Sequence, residues 1–407
     1  MALATIWQWF LPILTWILAL GWIWQLVQWL AHFHEVPDLT RISGLPDLAQ
    51  SLEGRPHLTV IVPACNEKIS IEATLGSLLA STGIHLQIIA VDDRSTDQTG
   101  AIMDEVSAQS SGIASGIAAW HSLEVLHIRE LPNGWLGKPH ALASAVRMAQ
   151  ADWILFTDAD VIFAPQATAL ALRYAEAERA DHLVLMPEWL MGSHGEAAML
   201  GAMHALTSWG MRLWRVSDPS ARDFLGVGAF NLVRRSTYEA LGGFDALRME
   251  VIEDLRLGWT IKRAGYRQRV VLGPGLAAVR WSRGAWGVVR NLEKNLFALY
   301  RYRVGLTMLA CSGLVLQIVL PLAAVWSGGL ARLAAIVLYA AIGGIYVSSR
   351  GVTRVAPAYV LIYPLAASLF LFAMLRSMTL ALVRGGVVWR GTKYSLWELR
   401  AHAGRFW

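Results

Sequence analysis

The sequence predicts an α/β domain with a mainly parallel sheet, tethered by one N-terminal and about three C-terminal membrane segments. Between residues 32 and 303, short runs rich in apolar and β-branched residues alternate with longer segments of mixed polarity. Long uncharged stretches lie towards both ends. Of 407 residues, 55% are hydrophobic and only 16% charged, against about 45–50% and about 25% in ordinary soluble domains. With a mean hydropathy of +0.42 and 19 Trp, so much apolar surface must be buried in core or lipid, which excludes a disordered chain. Cys65 and Cys311 lie far apart, so neither a disulfide framework nor a cysteine zinc site is read, and reducing, cytosolic chemistry is compatible.

From residue 6 to 30 there is no charge, and these 25 residues, rising about 1.5 Å each, suffice to cross a hydrocarbon core about 30 Å thick. A basic start and a small-residue cleavage site are missing, so an uncleaved anchor is expected. Residues 305–326, 330–347 and 356–383 form three further apolar stretches, and the interval 305–383 holds no acidic residue and four arginines. Arg376 falls inside the last stretch, where it must snorkel, face protein or mark a functional site. The basic segment 262–303 precedes these stretches, which by the positive-inside rule places the α/β domain in the cytoplasm, at a bacterial inner membrane. Four full crossings would leave the tail cations Arg384, Arg390, Lys393, Arg400 and Arg405 on the opposite side. Pro364 divides the last stretch, so a re-entrant or interfacial piece followed by a crossing is expected there. The net charge of +5 belongs largely to residues beside apolar segments, where anionic lipid headgroups account for it and no nucleic acid is needed.

Residues 58–63, 86–92, 123–128, 153–157 and 182–186 read as strands, and 71–80, 97–108, 140–149 and 167–180 as helices. Their alternation implies a mainly parallel sheet covered on both faces, with ligands at the carboxyl ends of its strands. The Ser/Gly/Ala-rich stretch 107–119 reads as a loop or a frayed helix end.

Each of the polar motifs is expected just after a strand. Val62-Pro63-Ala64-Cys65-Asn66-Glu67 is an apolar strand stopped by a proline and a polar turn. In Val91-Asp92-Asp93-Arg94-Ser95-Thr96-Asp97, Asp97 also fits a helix cap. Asp92 and Asp93 are adjacent anions at a strand end, costly unless they meet donors such as base N–H groups or ribose hydroxyls. Asp158 and Asp160, two apart after the run 153–156, point to one face of an extended chain and can hold a hard divalent ion and, through it, a diphosphate. Gly137-Lys138 opens a helix whose N–H groups and ammonium suit a phosphate, although a surface lysine reads the same way. Glu253-Asp254 starts a helix over 254–264. Its carboxylates suit either a general base or first-turn charge favoured by the helix dipole.

Taken together, Pro63 to Glu67, Asp92 to Asp97, Lys138, Asp158-Ala159-Asp160, Gly226 to Asn231, Gly242-Gly243-Phe244 and Glu253-Asp254 resemble, in order and spacing, the family 2 glycosyltransferases of the GT-A fold. The resemblance covers roughly residues 57–275. It implies inverting transfer of a sugar from a nucleotide sugar, usually a UDP-sugar, with Mg²⁺ or Mn²⁺, as a hexosyltransferase of class EC 2.4. By the same resemblance Asp92 and Asp93 contact base and ribose with Pro63, Asn66 and Glu67 beside them, and Lys138 meets the diphosphate. Asp160 with Asp158 takes the metal and diphosphate, and Asp254 is the base with Glu253 as its neighbour.

Processive polysaccharide synthases and ceramide glucosyltransferases of this family carry Q/R-x-x-R-W after the base. Here Arg280-Trp281 is preceded by Ala277, which disfavours long-chain synthesis. Residues 286–302 repeat apolar side chains at three and four, suiting a helix in the membrane surface or a core-packing helix with one solvated face. Residues 197–214 carry Met199, Met203, Trp209 and Trp214 on an expected helix that suits an apolar acceptor or core. His194 and His204 lack metal-ligand spacing.

The expected organisation is an anchor at 1–31, a GT-A domain at 32–283, an interfacial helix at 284–304, membrane segments at 305–383 and a basic tail at 384–407. The arrangement is similar to membrane glycosyltransferases of ceramide, hopanoid and carotenoid metabolism. The expected acceptor is therefore a membrane lipid hydroxyl. A polysaccharide or polyprenyl-phosphate glycosyltransferase and a non-catalytic nucleotide-sugar-binding scaffold are the alternatives.

Overall fold

A computed structural model describes residues 2–48, 56–111 and 121–403. The chain forms two compact units, one of residues 36–190, 213–281 and 390–407 and the other of residues 1–35, 191–212 and 282–389.

The first unit is the α/β domain. Its strands are β1 (Leu58–Ala64), β2 (Leu86–Asp93), β3 (Ser122–Ile128), β4 (Trp153–Phe156), β5 (Val161–Phe163), β6 (His182–Met186), β7 (Glu188–Trp189), β8 (Asn231–Arg234), β9 (Gln268–Leu272) and β10 (Ala277–Val279). Seven form one sheet in the order β3-β2-β1-β4-β8-β6-β9, and β5-β10-β7 form a small second sheet. Every residue of β1 and β2 is buried, as strands covered on both faces require. Alternate residues serve opposite faces: Val60, Val62, Ile88, Ala90 and Leu155 join one core. Ile61, Ile89, Val91, Ile154 and Phe156 join the other, with Phe244 edge-on to Phe156 at 5.0 Å. Burying side chains of this size stabilises by about 1.5–3 kcal/mol each before entropy is charged.

The mainly parallel α/β expectation holds, with two strands added to the five expected in the large sheet: β9, parallel to β6, and β8, which runs antiparallel between β4 and β6. β2 and β3 lie on one side of β1 and β4 on the other, so the order reverses beside β1. A crevice opens there at the carboxyl ends of the strands.

The second unit is helical. Four of its segments, Trp9–Glu35, Val304–Ser327, Gly329–Thr353 and Pro357–Val383, are long and apolar enough to cross a membrane. Small residues let them pack closely: Ala324, Ala331 and Ala335 are buried with Leu11 and Leu320, while Leu309, Leu330 and Leu361 face outward.

Four readings are refined. The expected helix over 197–214 ends earlier: the helix His194–Thr207 stops and the chain turns before the short helix Leu213–Val216. The apolar repeat over 286–302 forms two helices, Gly284–Leu292 and Asn295–Leu299, instead of one. The cause is Ser377, whose hydroxyl donates to the Glu293 carbonyl at 2.5 Å and accepts from the Phe297 N–H at 3.0 Å, occupying an i to i+4 backbone bond. Arg376 faces protein, its guanidinium 3.0 Å from the Glu293 carboxylate. Pro364 sits in the first turn of the helix Tyr363–Val383, where a missing N–H costs nothing, behind a short 3₁₀ helix, Pro357–Ile362. Of the stretch 107–119, residues up to Ser111 end the helix Thr99–Ser111, and the remainder lies outside the described residues, as does Arg405.

Candidate active site

Each expected site residue lies at the carboxyl end of the large sheet or on a helix beside it. Pro63 sits in β1 beyond the last residue paired with β4, Ile61, so its missing N–H breaks no ladder bond there. The turn after β1 is clamped to the turn after β2. Asn66, in the left-handed region at φ 59°, accepts from the Thr96 N–H at 2.8 Å and donates its own N–H to Ser95 Oγ at 3.1 Å. The Glu67 N–H donates to Thr99 Oγ1 at 2.8 Å. Asp97 accepts from the Thr99 N–H at 3.0 Å, which is the capping reading of that residue.

Asp92 and Asp93 are both buried, and protein donors meet their cost. Arg94, at φ 57°, grips Asp93 through Nε at 2.8 Å and Nη2 at 3.2 Å. Asp92 accepts from the Ser95 N–H at 3.2 Å and pairs with His127 Nδ1 at 3.0 Å. The Asp92 and Asp104 carboxylates raise the proton affinity of His127. Gly100 permits this packing, since a methyl there would stand 2.6 Å from Asp92 Oδ2. His127 carries no sequence signal beyond its place in β3, and the sequence reading passed over it.

Lys138 enters in the first turn of the helix Gly137–Val146. Its Nζ lies 2.7 Å from Asp158 Oδ1 and 2.6 Å from Glu253 Oε1, so it joins the Asp158 turn after β4 to the helix Glu253–Arg263. Burial alone would lower its pKa. The carboxylates of Asp158, Glu253 and Asp254 more than offset this, and the ammonium stays charged. Asp254 is pushed up to about 6, first by burial and then by Glu253, with Lys138 pulling the other way. A small cleft is lined by Lys138, Thr157, Gly228, Asn231, Glu253 and Asp254.

Two glycines and a glutamine, whose roles the sequence reading did not assign, set this geometry. A methyl on Gly226 would lie 1.8 Å from the Asp254 carbonyl oxygen, and one on Gly258 1.9 Å from the Leu225 carbonyl. Gln268, buried in β9, accepts from the Leu225 N–H at 3.0 Å and donates to the Leu225 and Gly258 carbonyls at 3.0 and 3.1 Å. Its amide also meets His182 Nδ1 at 2.6 Å, and burial pushes His182 down to about 4. The loop 225–228 and the helix Glu253–Arg263 are therefore pinned to the sheet by a neutral network.

Asp160 is pushed up to about 7 by burial and by the neighbouring carboxylates of Asp158 and Glu67. Hard oxygens with excess negative charge fit Mg²⁺ or Mn²⁺. Among the described residues no group of three or more His, Cys, Asp or Glu side chains is assembled to hold an ion. Asp158 and Asp160 are the two carboxylates at the end of β4 that could contribute oxygens to such an ion.

Residues 59–189 match the model for glycosyl transferase family 2. The chain is 26% identical over 291 residues to the probable glycosyltransferase YdaM of Bacillus subtilis, covering 64% of this chain and 63% of that one. It is 24% identical over 250 residues to the 4,4′-diaponeurosporenoate glycosyltransferase of Staphylococcus haemolyticus, covering 60% and 62%. The chain thus spans under two thirds of the length of these curated relatives. Among solved structures, the mannosyltransferase PcManGT of Pyrobaculum calidifontis, in complex with GDP-Man and Mn²⁺, aligns over 92% of this chain and 99% of that one at 16% identity, with a TM-score of 0.47. The ordered motifs, their position at one sheet end and the matched segment agree, and across residues 59–189 the chain carries a glycosyl transferase family 2 domain.

Proposed function

We propose that this protein transfers a sugar from a nucleotide sugar, a UDP-sugar, to the hydroxyl of a membrane lipid, with inversion, as a hexosyltransferase of class EC 2.4. The observation that carries the reading is the cleft where Asp254, pushed up to about 6, lies beside the Lys138 ammonium held between Asp158 and Glu253. A carboxylate with a pKa near neutrality suits proton abstraction from an attacking hydroxyl. In this reading Asp254 takes the acceptor proton as the oxygen attacks the anomeric carbon, and Glu253 fixes the ammonium beside it. Lys138 stabilises the charge that builds on the leaving nucleoside diphosphate.

In this reading Asp92 and Asp93, at the end of β2, would face base and ribose, with Pro63, Asn66 and Glu67 at the end of β1 and in the turn after it beside them. Asp160 and Asp158 would hold Mg²⁺ or Mn²⁺, which when bound supplies charge neutralisation to the diphosphate. The lipid acceptor is supported by the four segments long and apolar enough to span a bilayer and by the relative named a 4,4′-diaponeurosporenoate glycosyltransferase. Arg280-Trp281 without Gln or Arg at 277 speaks for a single transfer over polymer synthesis. The membrane is the bacterial inner membrane, with the α/β domain on the cytoplasmic side, by the basic segment that precedes the C-terminal helices.

The test is lipid mass spectrometry of cells with and without the protein, paired with transfer assays on the purified protein in lipid nanodiscs. A lipid heavier by one hexose or N-acetylhexosamine, lost in Asp254→Asn while UDP binding persists, is expected. Unchanged transfer in Asp254→Asn removes the assigned base, and a water-soluble polymer as product removes the lipid acceptor.

A further inference from the structure

The five residues Arg390 to Tyr394 meet three loops of the α/β domain that are remote in sequence. Arg390 Nη2 lies 3.1 Å from Glu67 Oε1, in the turn after β1. Thr392 Oγ1 accepts from Arg94 Nη1 at 3.4 Å, in the turn after β2. The Tyr394 hydroxyl accepts from the Gly137 N–H at 3.2 Å, one residue before Lys138. Tyr394 is 6% exposed, and a methyl on Gly137 would collide with Asp93 Oδ2 at 2.5 Å. All three loops are assigned above to the donor. Arg390 holds a left-handed φ of 49° and Gly391 one of 80°. Both are the conformations of a two-residue turn leading into the strand Thr392–Ser395.

We infer that residues Arg390 to Tyr394 form a wall of the nucleotide-sugar site and that Arg390 is a donor-binding cation for the diphosphate. The inference rests on the donor reading proposed above and adds a residue that lies outside the matched segment 59–189. Lys138 is already shared between two carboxylates at 2.7 and 2.6 Å, and a diphosphate brings further negative charge to the same crevice. A guanidinium offers five N–H donors in a planar fork, of which the Glu67 contact uses one, and that fork matches phosphate oxygens. Glu67 parks the guanidinium at the rim, and the Tyr394 hydroxyl fills the first amide of the helix Gly137–Val146 until phosphate oxygens replace it.

The test uses the full chain in nanodiscs with UDP and with GDP as probes, by calorimetry in the presence of Mn²⁺, together with limited trypsin digestion at Arg390 and Lys393. Wild type is expected to bind at least one of the two, and the bound nucleotide to slow cleavage at both sites. Arg390→Ala is expected to weaken that binding by about tenfold or more, with Arg390→Lys intermediate and the unfolding midpoint without nucleotide unchanged. Trp397→Ala, on the same tail with its side chain in solvent, is expected to bind as wild type. Wild-type affinity in Arg390→Ala and Tyr394→Phe, with digestion indifferent to nucleotide, overturns the assignment and leaves the donor reading standing. Failure of the wild-type protein to bind either nucleotide overturns both.

Discussion

Gly228 lies against Asp158 so closely that a methyl on the glycine would stand 2.6 Å from the Asp158 carboxylate. Two residues earlier, Gly226 meets backbone instead, the Asp254 carbonyl, at 1.8 Å. This difference separates two substitutions that look alike. In Gly228→Ala a side chain can give way, so stability changes little while Asp158 turns from Lys138 and nucleotide affinity falls. In Gly226→Ala the base helix itself must move, which destabilises the domain by about 2 kcal/mol or more. Thermal unfolding beside UDP titration distinguishes them, and equal midpoints for the two variants would contradict this account.

The base assignment makes a pH-dependent prediction. A base at Asp254 would act as its carboxylate, so kcat/KM is expected to rise with pH through about 6 and to level off above it. Asp254→Asn lowers kcat by about 10²–10⁴-fold and removes that limb while leaving UDP affinity near the wild-type value. A pH profile flat from 5 to 8 in the wild-type protein would remove Asp254 from this role.

How much of this was legible in the sequence follows from range. The strands and the motif ends were visible because period, burial and strand-terminal polarity are local. Asp254 reads as a base or as first-turn charge; its raised proton affinity arises from burial and from Glu253 against the pull of Lys138, and the burial and Lys138 are tertiary. Asp92 and Asp93 were expected to need ligand donors, but Arg94 and His127 already supply them. β8 escaped notice because its two apolar residues are flanked by Asn231 and Arg234, whereas the equally short β4 is an unbroken apolar run. Gln268 and Tyr394 escaped because a lone glutamine or tyrosine acquires meaning only from what it touches, here the Leu225 and Gly258 backbone and the Gly137 amide. The Ser377 hydroxyl, which splits one expected helix into two, acts across 84 residues of sequence.

Lys138→Met leaves Asp158 and Glu253 facing each other without their shared cation. Breaking a buried pair on one side costs roughly 3–5 kcal/mol, so the unfolding midpoint falls. The variant also has a signature that destabilisation alone does not produce. The Lys138 charge lowers the Asp254 pKa, whereas Glu253 and Asp158 raise it. Removing that charge therefore moves the rising limb of kcat/KM to higher pH. A limb that stays in place, measured at a temperature where the variant remains folded, would show that Lys138 and Asp254 do not share one field.

In the helical unit, Ser377 and Glu293 act on the same break in different ways. Ser377 is 1% exposed, and its hydroxyl both donates to the Glu293 carbonyl and accepts from the Phe297 N–H. Ser377→Ala removes both bonds at once and strands two buried backbone groups, a loss of about 1–3 kcal/mol. Part of it returns if Phe297 and Glu293 close their own backbone bond and the two helices Gly284–Leu292 and Asn295–Leu299 become continuous. Glu293→Gln leaves those backbone bonds in place but takes the partner from Arg376 and Arg384, at 3.0 and 2.9 Å. Arg376 then carries its charge in an apolar stretch without a counter-ion, so the loss should exceed that of Ser377→Ala. Unfolding midpoints in detergent give the comparison, with Arg376→Met in the Glu293→Gln background as the check. Restoration of stability by that second change is expected if the unpaired cation is the cost, and further loss would place the cost in packing instead.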